Sequence, residues 1–354
     1  TLFRSDNTNL SWTDVSLGGA TYASLNSDSN WQFAQFNDKV IAVQANVAPQ
    51  VIDIEVGTAF AALGGSPPQA AYIAVVNRFV VLSGITLYPK RVQWSGLNAI
   101  TTWTTGTTYS DYQDIPDGDN VKGVVGGEFG IIIQDSAIRR MIFAPGSDII
   151  FQIDRIAKEI GAVAPSAIVE ANGVVFLLSA KGFVRISSDG ALTPIGFERV
   201  DRMFFGTYDA TQPQLLQAAS NPAANVVVFA YKESTFSAQR FNKALVFNYA
   251  LNQWAPMEIE GEYLASLAKP GLTLESLNMI GSVAVTGAAN NGSGKVRLTV
   301  ASTAGWTTGD IKEIAAIVGT TEANGSFAVT VIDGTHIDLT TVSFVNAYVS
   351  GGYV

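Results

Sequence analysis

What most restricts the fold of this chain is a repeat. An apolar run, a short polar reversal and a second apolar run recur along the sequence. The first copy is Trp31-Gln32-Phe33-Ala34-Gln35-Phe36, the pair Asn37-Asp38, and Lys39-Val40-Ile41-Ala42-Val43. The second is Ala71-Tyr72-Ile73-Ala74-Val75-Val76, Asn77-Arg78 and Phe79-Val80-Val81-Leu82. A third joins residues 122–125 to 129–133 across Gly126-Gly127-Glu128, and a fourth joins 167–170 to 174–178 across Ala171-Asn172-Gly173. The fifth pairs 215–219 with 226–230 across 221–225. Asn and Gly tolerate a left-handed backbone, and Asn-Gly is the strongest short hairpin signal. The turns lie about 40 to 50 residues apart, the repeat length of a four-stranded propeller blade.

After each of the last four hairpins a further strand pair is expected: residues 84–94, 136–143, 182–195 and 244–254. Each would be the outer hairpin of its blade, with Asp189-Gly190 and Leu251-Asn252 at two of the reversals. Helix signals are scarce. Residues 155–160 and 263–267 are the best candidates, and neither sustains an i, i+3, i+4, i+7 stripe for three turns. Linear stacking has the same period as radial closure, so solenoids and sandwiches stay open at this point. From Val283 onward Thr, Ala, Gly and Val dominate, and 296–300, 327–331 and 336–340 alternate as strands between turn residues. The sequence is thus read as all-β: a β-propeller-like body over residues 1–282, and a small antiparallel β-barrel or sandwich module over 283–354.

Composition narrows the chemistry. Among 354 residues there is no Cys and a single His, His336, so disulfides, thiol nucleophiles and cysteine zinc sites are excluded. A Ser-His-Asp triad would have to use His336, which lies in a strand beside Asp333 and Asp338 and reads more simply as a packing or surface residue. The net charge of −9 disfavours an electrostatic clamp on nucleic acid phosphates. Thr1 to Asn9 has no basic flank followed by an apolar run, so no signal peptide is expected. The longest apolar stretches, such as 174–178, fall far short of the roughly 20 residues that span a bilayer, so no membrane anchor is expected.

The densest acidic stretch holds Asp111, Asp114, Asp117 and Asp119. Oxygen-rich turns bind calcium, which makes these four weak calcium candidates. Their spacing nevertheless departs from the calcium-hand pattern, and a solvated loop between blades is the simpler reading. Glu128, Glu170 and Asp201 are the acids available for a glycosidase pair; the first two fall at or beside turns, where an acid is usually just solvated. Asn291-Gly292-Ser293 and Asn324-Gly325-Ser326 match the glycosylation pattern and read as Gly-containing turns. There is no phosphate-binding Gly-rich loop with the required spacing. Lys90-Arg91, Arg139-Arg140 and Arg199 with Arg202 are isolated basic pairs. The abundant aromatics alternate at strand spacing, as blade cores would.

Several ordered strings carry a resemblance. They are Phe33-Ala34-Gln35-Phe36-Asn37-Asp38-Lys39-Val40-Ile41-Ala42, Val92-Gln93-Trp94-Ser95-Gly96-Leu97-Asn98 with Trp103, and Asp111-Tyr112-Gln113-Asp114. Gly127-Glu128-Phe129-Gly130 through Ile138-Arg139-Arg140-Met141, Val174-Val175-Phe176-Leu177-Leu178-Ser179 with Gly182-Phe183, and Val200-Asp201-Arg202-Met203-Phe204-Phe205 complete the series. Over roughly residues 10 to 280 this series resembles the tail nozzle or hub proteins of short-tailed bacteriophages, the tail tubular protein B or packaged-DNA stabilisation family. The last 70 or so residues resemble a small β module that recurs as an insertion in phage structural proteins. The resemblance implies a virion component, assembled in the bacterial cytoplasm as a homo-oligomeric ring, usually a hexamer. Its partners would be portal and adaptor proteins and a tail fibre or needle. The ring retains packaged DNA and conducts it on ejection, and the family implies neither an enzyme nor a cofactor. The other reading is a propeller that binds or cleaves glycans.

Overall fold

The computed structural model describes residues 1–5, 12–19, 22, 30–147, 149–187, 189–266 and 283–354. They fall into two compact units divided between Ser266 and Val283. In the larger unit β1 (Phe3–Ser5) pairs with β2 (Trp12–Asp14), and five four-stranded antiparallel sheets follow, each built from strands consecutive in the chain. Sheet one holds β3 (Gln32–Phe36), β4 (Lys39–Gln44), β5 (Val47–Asp53) and β6 (Ala61–Ala62). Sheet two holds β7 (Ala70–Val76), β8 (Phe79–Ile85), β9 (Tyr88–Trp94) and β10 (Asp111–Asp114). Sheet three holds β11 (Val121–Val125), β12 (Gly130–Gln134), β13 (Ala137–Phe143) and β14 (Phe151–Lys158). Sheet four holds β15 (Val169–Ala171), β16 (Val174–Ser179), β17 (Gly182–Ile186) and β18 (Leu192–Pro194). A seven-residue helix, α1 (Asp201–Thr207), precedes sheet five: β19 (Gln217–Asn221), β20 (Val226–Tyr231), β21 (Phe241–Asn248) and β22 (Gln253–Gly261).

The inner hairpins form where the repeat places them. Asn37, Asn77 and Asn172 all take the left-handed conformation the reversals require, with φ of 53°, 55° and 52°. Side-chain alternation shows how neighbouring sheets share cores, and the convergence of their first strands points to a radial array. Successive residues of a strand point to opposite faces. Accordingly Phe79 and Val81 of β8 pack toward sheet three, against Ile132, Met141 and Phe151. Val80 and Leu82 of the same strand pack toward sheet one, with Phe36, Ile41 and Val43. On β12, Ile132 faces back while Ile131 and Ile133 face sheet four, meeting Val175, Leu177 and Ile186. Phe176, Leu178 and Phe183 then pack against Phe229, Phe247 and Trp254 of sheet five. A second strand buried on both faces reads as a continuous apolar run, which is why these segments were conspicuous. The first strands of neighbouring sheets adjoin, β3 with β7, β7 with β11 and β15 with β19, and the starts of all five sheets border one cavity. Sheets that share cores face to face around a common centre make this unit all-β and propeller-like.

Four local expectations change. Residues 155–158 are not helical but the end of β14, where Arg139 pairs with Arg155, Ile138 pairs with Ala157, and Ile156 is bulged between them. Burying Ile156 and Ala157 against the core between sheets three and four favours the extended form over an isolated turn. Residues 263–266 form no helix, and Leu267 lies outside the described residues. The segment 84–94 is not an outer hairpin: Gly84 and Ile85 end β8, and the fourth strand is β10, in the acidic stretch read as a loop. Likewise 136–143 is the single strand β13, completed by β14. The hairpins at 182–195 and 244–254 form as expected, with Asn252 left-handed at the second reversal.

The smaller unit has a four-stranded sheet in the order β23 (Val285–Asn290), β24 (Lys295–Val300), β28 (His336–Ser343), β27 (Thr330–Val331). Beside it β25 (Ile311–Ile314) pairs with β26 (Gly325–Ala328). Val296, Leu298, Ile314, Ile317, Ile337 and Leu339 form its core. The expected strand over 327–331 is broken at the buried Val329, whose N–H and C=O bond to Asp310 and Gly309 in another loop. Two of its residues far apart in the chain are paired: the Val283 N–H donates to the Val354 carbonyl at 2.8 Å, and the reciprocal bond is 2.9 Å.

Candidate functional site

A cavity of about 770 Å³ at the centre of the larger unit has the capacity for a ligand. It sits where the first strands begin. Trp31 and Gln32 reach it at the start of β3, Tyr72 near the start of β7, Lys122 on β11, and Gln214 and Gln217 on the approach to β19. The strand starts converge because each sheet meanders outward from its first strand, so every sheet contributes its inner end.

Its wall is held in place by particular contacts. Gln217 is buried; its amide donates to the Glu262 carbonyl at 2.9 Å, and its oxygen accepts from the Leu264 N–H at 2.7 Å. These two bonds hold the segment after β22 against the inner strand of sheet five. Lys122 Nζ pairs with Asp135 at 3.1 Å, and Asp135 also accepts from the Asn120 N–H. The Tyr72 ring lies over Gly84, where a Cβ would come within 2.6 Å of two ring carbons. Burial, reinforced by the nearby Asp135 charge, pushes the Tyr72 hydroxyl up to about 12, so it stays protonated at neutral pH.

The residues singled out in the sequence lie elsewhere. Asp111 accepts from the neighbouring Tyr112 N–H, and Asp114 takes Arg91 in a two-pronged pair at 2.7 and 2.8 Å. The Arg91 guanidinium is stacked between the Tyr88 and Tyr112 rings, 4.0 and 3.7 Å from their centres. Asp117 bridges Arg139 and Arg155, and Asp119 stands 3.9 Å from Lys90. The four acids are spread along β10 and the following loop, three of them facing basic side chains. Among the described residues no group of three or more His, Asp or Glu is placed to hold a metal ion.

Glu128, Glu170 and Asp201 are not brought together and none borders the cavity. Glu128 is exposed between β11 and β12, and Glu170 accepts from the Gly173 N–H within its own hairpin. Asp201 opens α1 with its carboxylate pressed over Gly182 and Gly196, accepting from the Phe183 N–H at 3.1 Å. Burial raises its carboxyl above the ordinary carboxylate value. His336 Nδ1 meets Asp333 at 2.9 Å on the smaller unit. Arg199 donates to the Asn252 carbonyl, tying the loop before α1 to the last hairpin of sheet five. Asn291 and Asn324 use their side chains within turns of the smaller unit. The cavity residues went unnoticed in the sequence because they come from five separate strand starts with no common motif. The Asn-containing reversals at Asn37, Asn77 and Asn172 mark the far ends of the first strands, whose starts border the cavity.

Fold and cavity together define a class: an all-β, propeller-like protein with a small β unit after it. No protein-family model matches the sequence, and no curated protein matches it significantly. Among solved structures it is similar to the Cps50 (Swd1) β-propeller domain of Myceliophteria thermophila, at 9% identity over 90% of this chain and 96% of that one, with a TM-score of 0.41. It is also similar to the AfRom2 CNH domain, at 9% identity over 92% and 93% of the two chains, TM-score 0.41. The dihydro-heme d1 dehydrogenase NirN in complex with DHE gives 12% identity and a TM-score of 0.40; the match covers 91% of this chain and 66% of the NirN chain. Likeness at this level says nothing of activity, and the architecture stands on the strand order and shared cores of the chain itself.

Proposed function

We propose that this chain is a structural subunit of a short-tailed phage tail, of the nozzle or hub kind, working as a ring around the path of double-stranded DNA. What supports this reading is the order of parts. A propeller-like body is followed by a separate β unit in which Val283 and Val354 are hydrogen-bonded to each other. A unit paired in this way can be spliced into a loop without disturbing its host, as the insertion-type module of the resemblance requires. The ordered motifs between residues 33 and 205 supply the link to the family. In this reading the subunit holds no cofactor, meets portal and adaptor proteins on one side and a fibre or needle on the other, and resides in the virion.

The charge has a role here. With a net charge of −9 the ring repels the DNA backbone, and DNA slides without the salt-dependent brake that paired Lys and Arg would impose. Electron microscopy of the native particle tests the reading directly. Density for this chain as a ring on the tail axis is expected; a particle without it, or a ring with a basic lumen, overturns the proposal or its charge mechanism respectively.

A further inference from the structure

The cavity of the larger unit has a chemistry that a DNA conduit does not use. We infer that it is a binding site for a neutral saccharide, with the side-chain amides of Gln32 and Gln214 as polar contacts and the lining aromatics Trp31, Tyr72 and the exposed Tyr263 as apolar ones. This goes beyond the tail reading and does not depend on it.

Size comes first. Ligand pockets span about 300 to 1,000 Å³, and this one, at about 770 Å³, has room for a short oligosaccharide. Charge then excludes most alternatives. Among the described residues the charged side chains on its wall are Lys122 and Glu262, one of each sign, and Lys122 is already paired with Asp135. A phosphate or polyanion would find no free cation there, and a metal ion would find no cluster of acids.

Polarity excludes a purely apolar occupant. Gln32, Gln214 and Tyr72 line the cavity, and none of their side chains has a hydrogen-bond partner among the described residues. An apolar ligand would strip their water and leave them unpaired, at about 1 to 3 kcal/mol for each buried group. The occupant must therefore offer both an apolar face and several hydroxyl or amide groups. A pyranose does this, with C–H faces for aromatic rings and hydroxyls for planar amides. A peptide offers the same groups less densely and is the competing outcome.

The wall is also preorganised. Tyr72 is fixed over Gly84, and Gln217 pins residues 262–264 with two bonds, so little ordering remains for the ligand to impose.

The experiment uses the full chain and an array of neutral oligosaccharides built on glucose, galactose, mannose and N-acetylglucosamine, followed by titration calorimetry and tryptophan fluorescence. Expected are binding that is insensitive to salt, a change in tryptophan emission, and a loss of about tenfold in affinity for each of Gln32→Ala and Gln214→Ala. Tyr88→Ala, on the outer part of sheet two, leaves binding unchanged. Circular dichroism matching the parent chain certifies that each variant is folded. The inference is overturned if no oligosaccharide binds at millimolar concentration, if the double glutamine variant binds as the parent does, or if peptides bind in place of saccharides.

Discussion

Single residues set the tolerance of this fold, and Gly84 shows how. It lies next to the last residue of β8 with φ of +63°, and a Cβ there would meet both the Tyr72 ring and the Ala71 side chain. Gly84→Ala therefore combines a left-handed strain with an overpacked contact, and a loss of about 1 to 3 kcal/mol in denaturant unfolding is expected. Charge behaves as specifically. Asp209 is held down to about 2 by the hydrogen bond from Lys232, at 2.7 Å, with Thr211 adding to it. Asp333 is held to about 2 by the Thr335 N–H and His336, and Asp53 to about 2 by Lys39 with two backbone N–H groups. These folded-state values lie below the ordinary carboxylate value of 3.8. The stability they contribute is accordingly complete above about pH 5 and lost as pH falls toward 2. Thermal melts across that window follow the loss. Asp209→Asn should flatten the melting-temperature slope for the larger unit, and an unchanged slope would show that the Lys232 pair does not couple to folding.

At the scale of elements, α1 depends on one carboxylate. Asp201 fits over Gly182 and Gly196, where added Cβ atoms would lie 2.1 and 1.9 Å from its oxygens. The helix has a single buried residue, Phe204, which meets Phe183 and Tyr231 with ring centres 4.9 and 4.8 Å away. Gly196→Ala should therefore displace Asp201, loosen Phe204 and cost about 1 to 3 kcal/mol, with a near-ultraviolet dichroism change as the readout. A variant with parental dichroism would mean the helix is held by its ring contacts alone. The same element explains what was legible in the sequence. The inner hairpins could be read from Asn37, Asn77 and Asn172 because a left-handed turn leaves a residue signature. α1 could not, since seven residues with one buried side chain produce no stripe. The strand β14 was misread for a related reason: the bulge at Ile156 breaks its alternation, and a broken alternation over a few residues looks like a helical turn. β10 was hidden because an outermost strand buries little, so its acids signalled a loop. The cavity was illegible for a geometric reason, being assembled from the starts of strands that lie far apart in the chain.

For the whole molecule the question is what a chain of this charge does in solution and in assembly. Successive sheets from one to five share apolar cores, which spends much of the larger unit's apolar surface internally. Large apolar side chains such as Trp12, Val56, Leu87, Phe197 and Leu251 remain exposed, yet copies of net charge −9 repel one another at low ionic strength. Under the proposed tail role, a ring of such subunits would need a template to offset that repulsion. The expectation is that the purified chain is a monomer or a loose oligomer at micromolar concentration and becomes a ring on an adaptor assembly. Salt should shift the balance in a defined direction. Screening shortens the reach of the repulsion to about 8 Å at physiological ionic strength, so any self-association should strengthen as salt is added. Light scattering over a salt series measures both. A stable hexamer without partners at low salt would contradict the template requirement, and association that weakens with salt would place attractive, not repulsive, charges at the contact between copies.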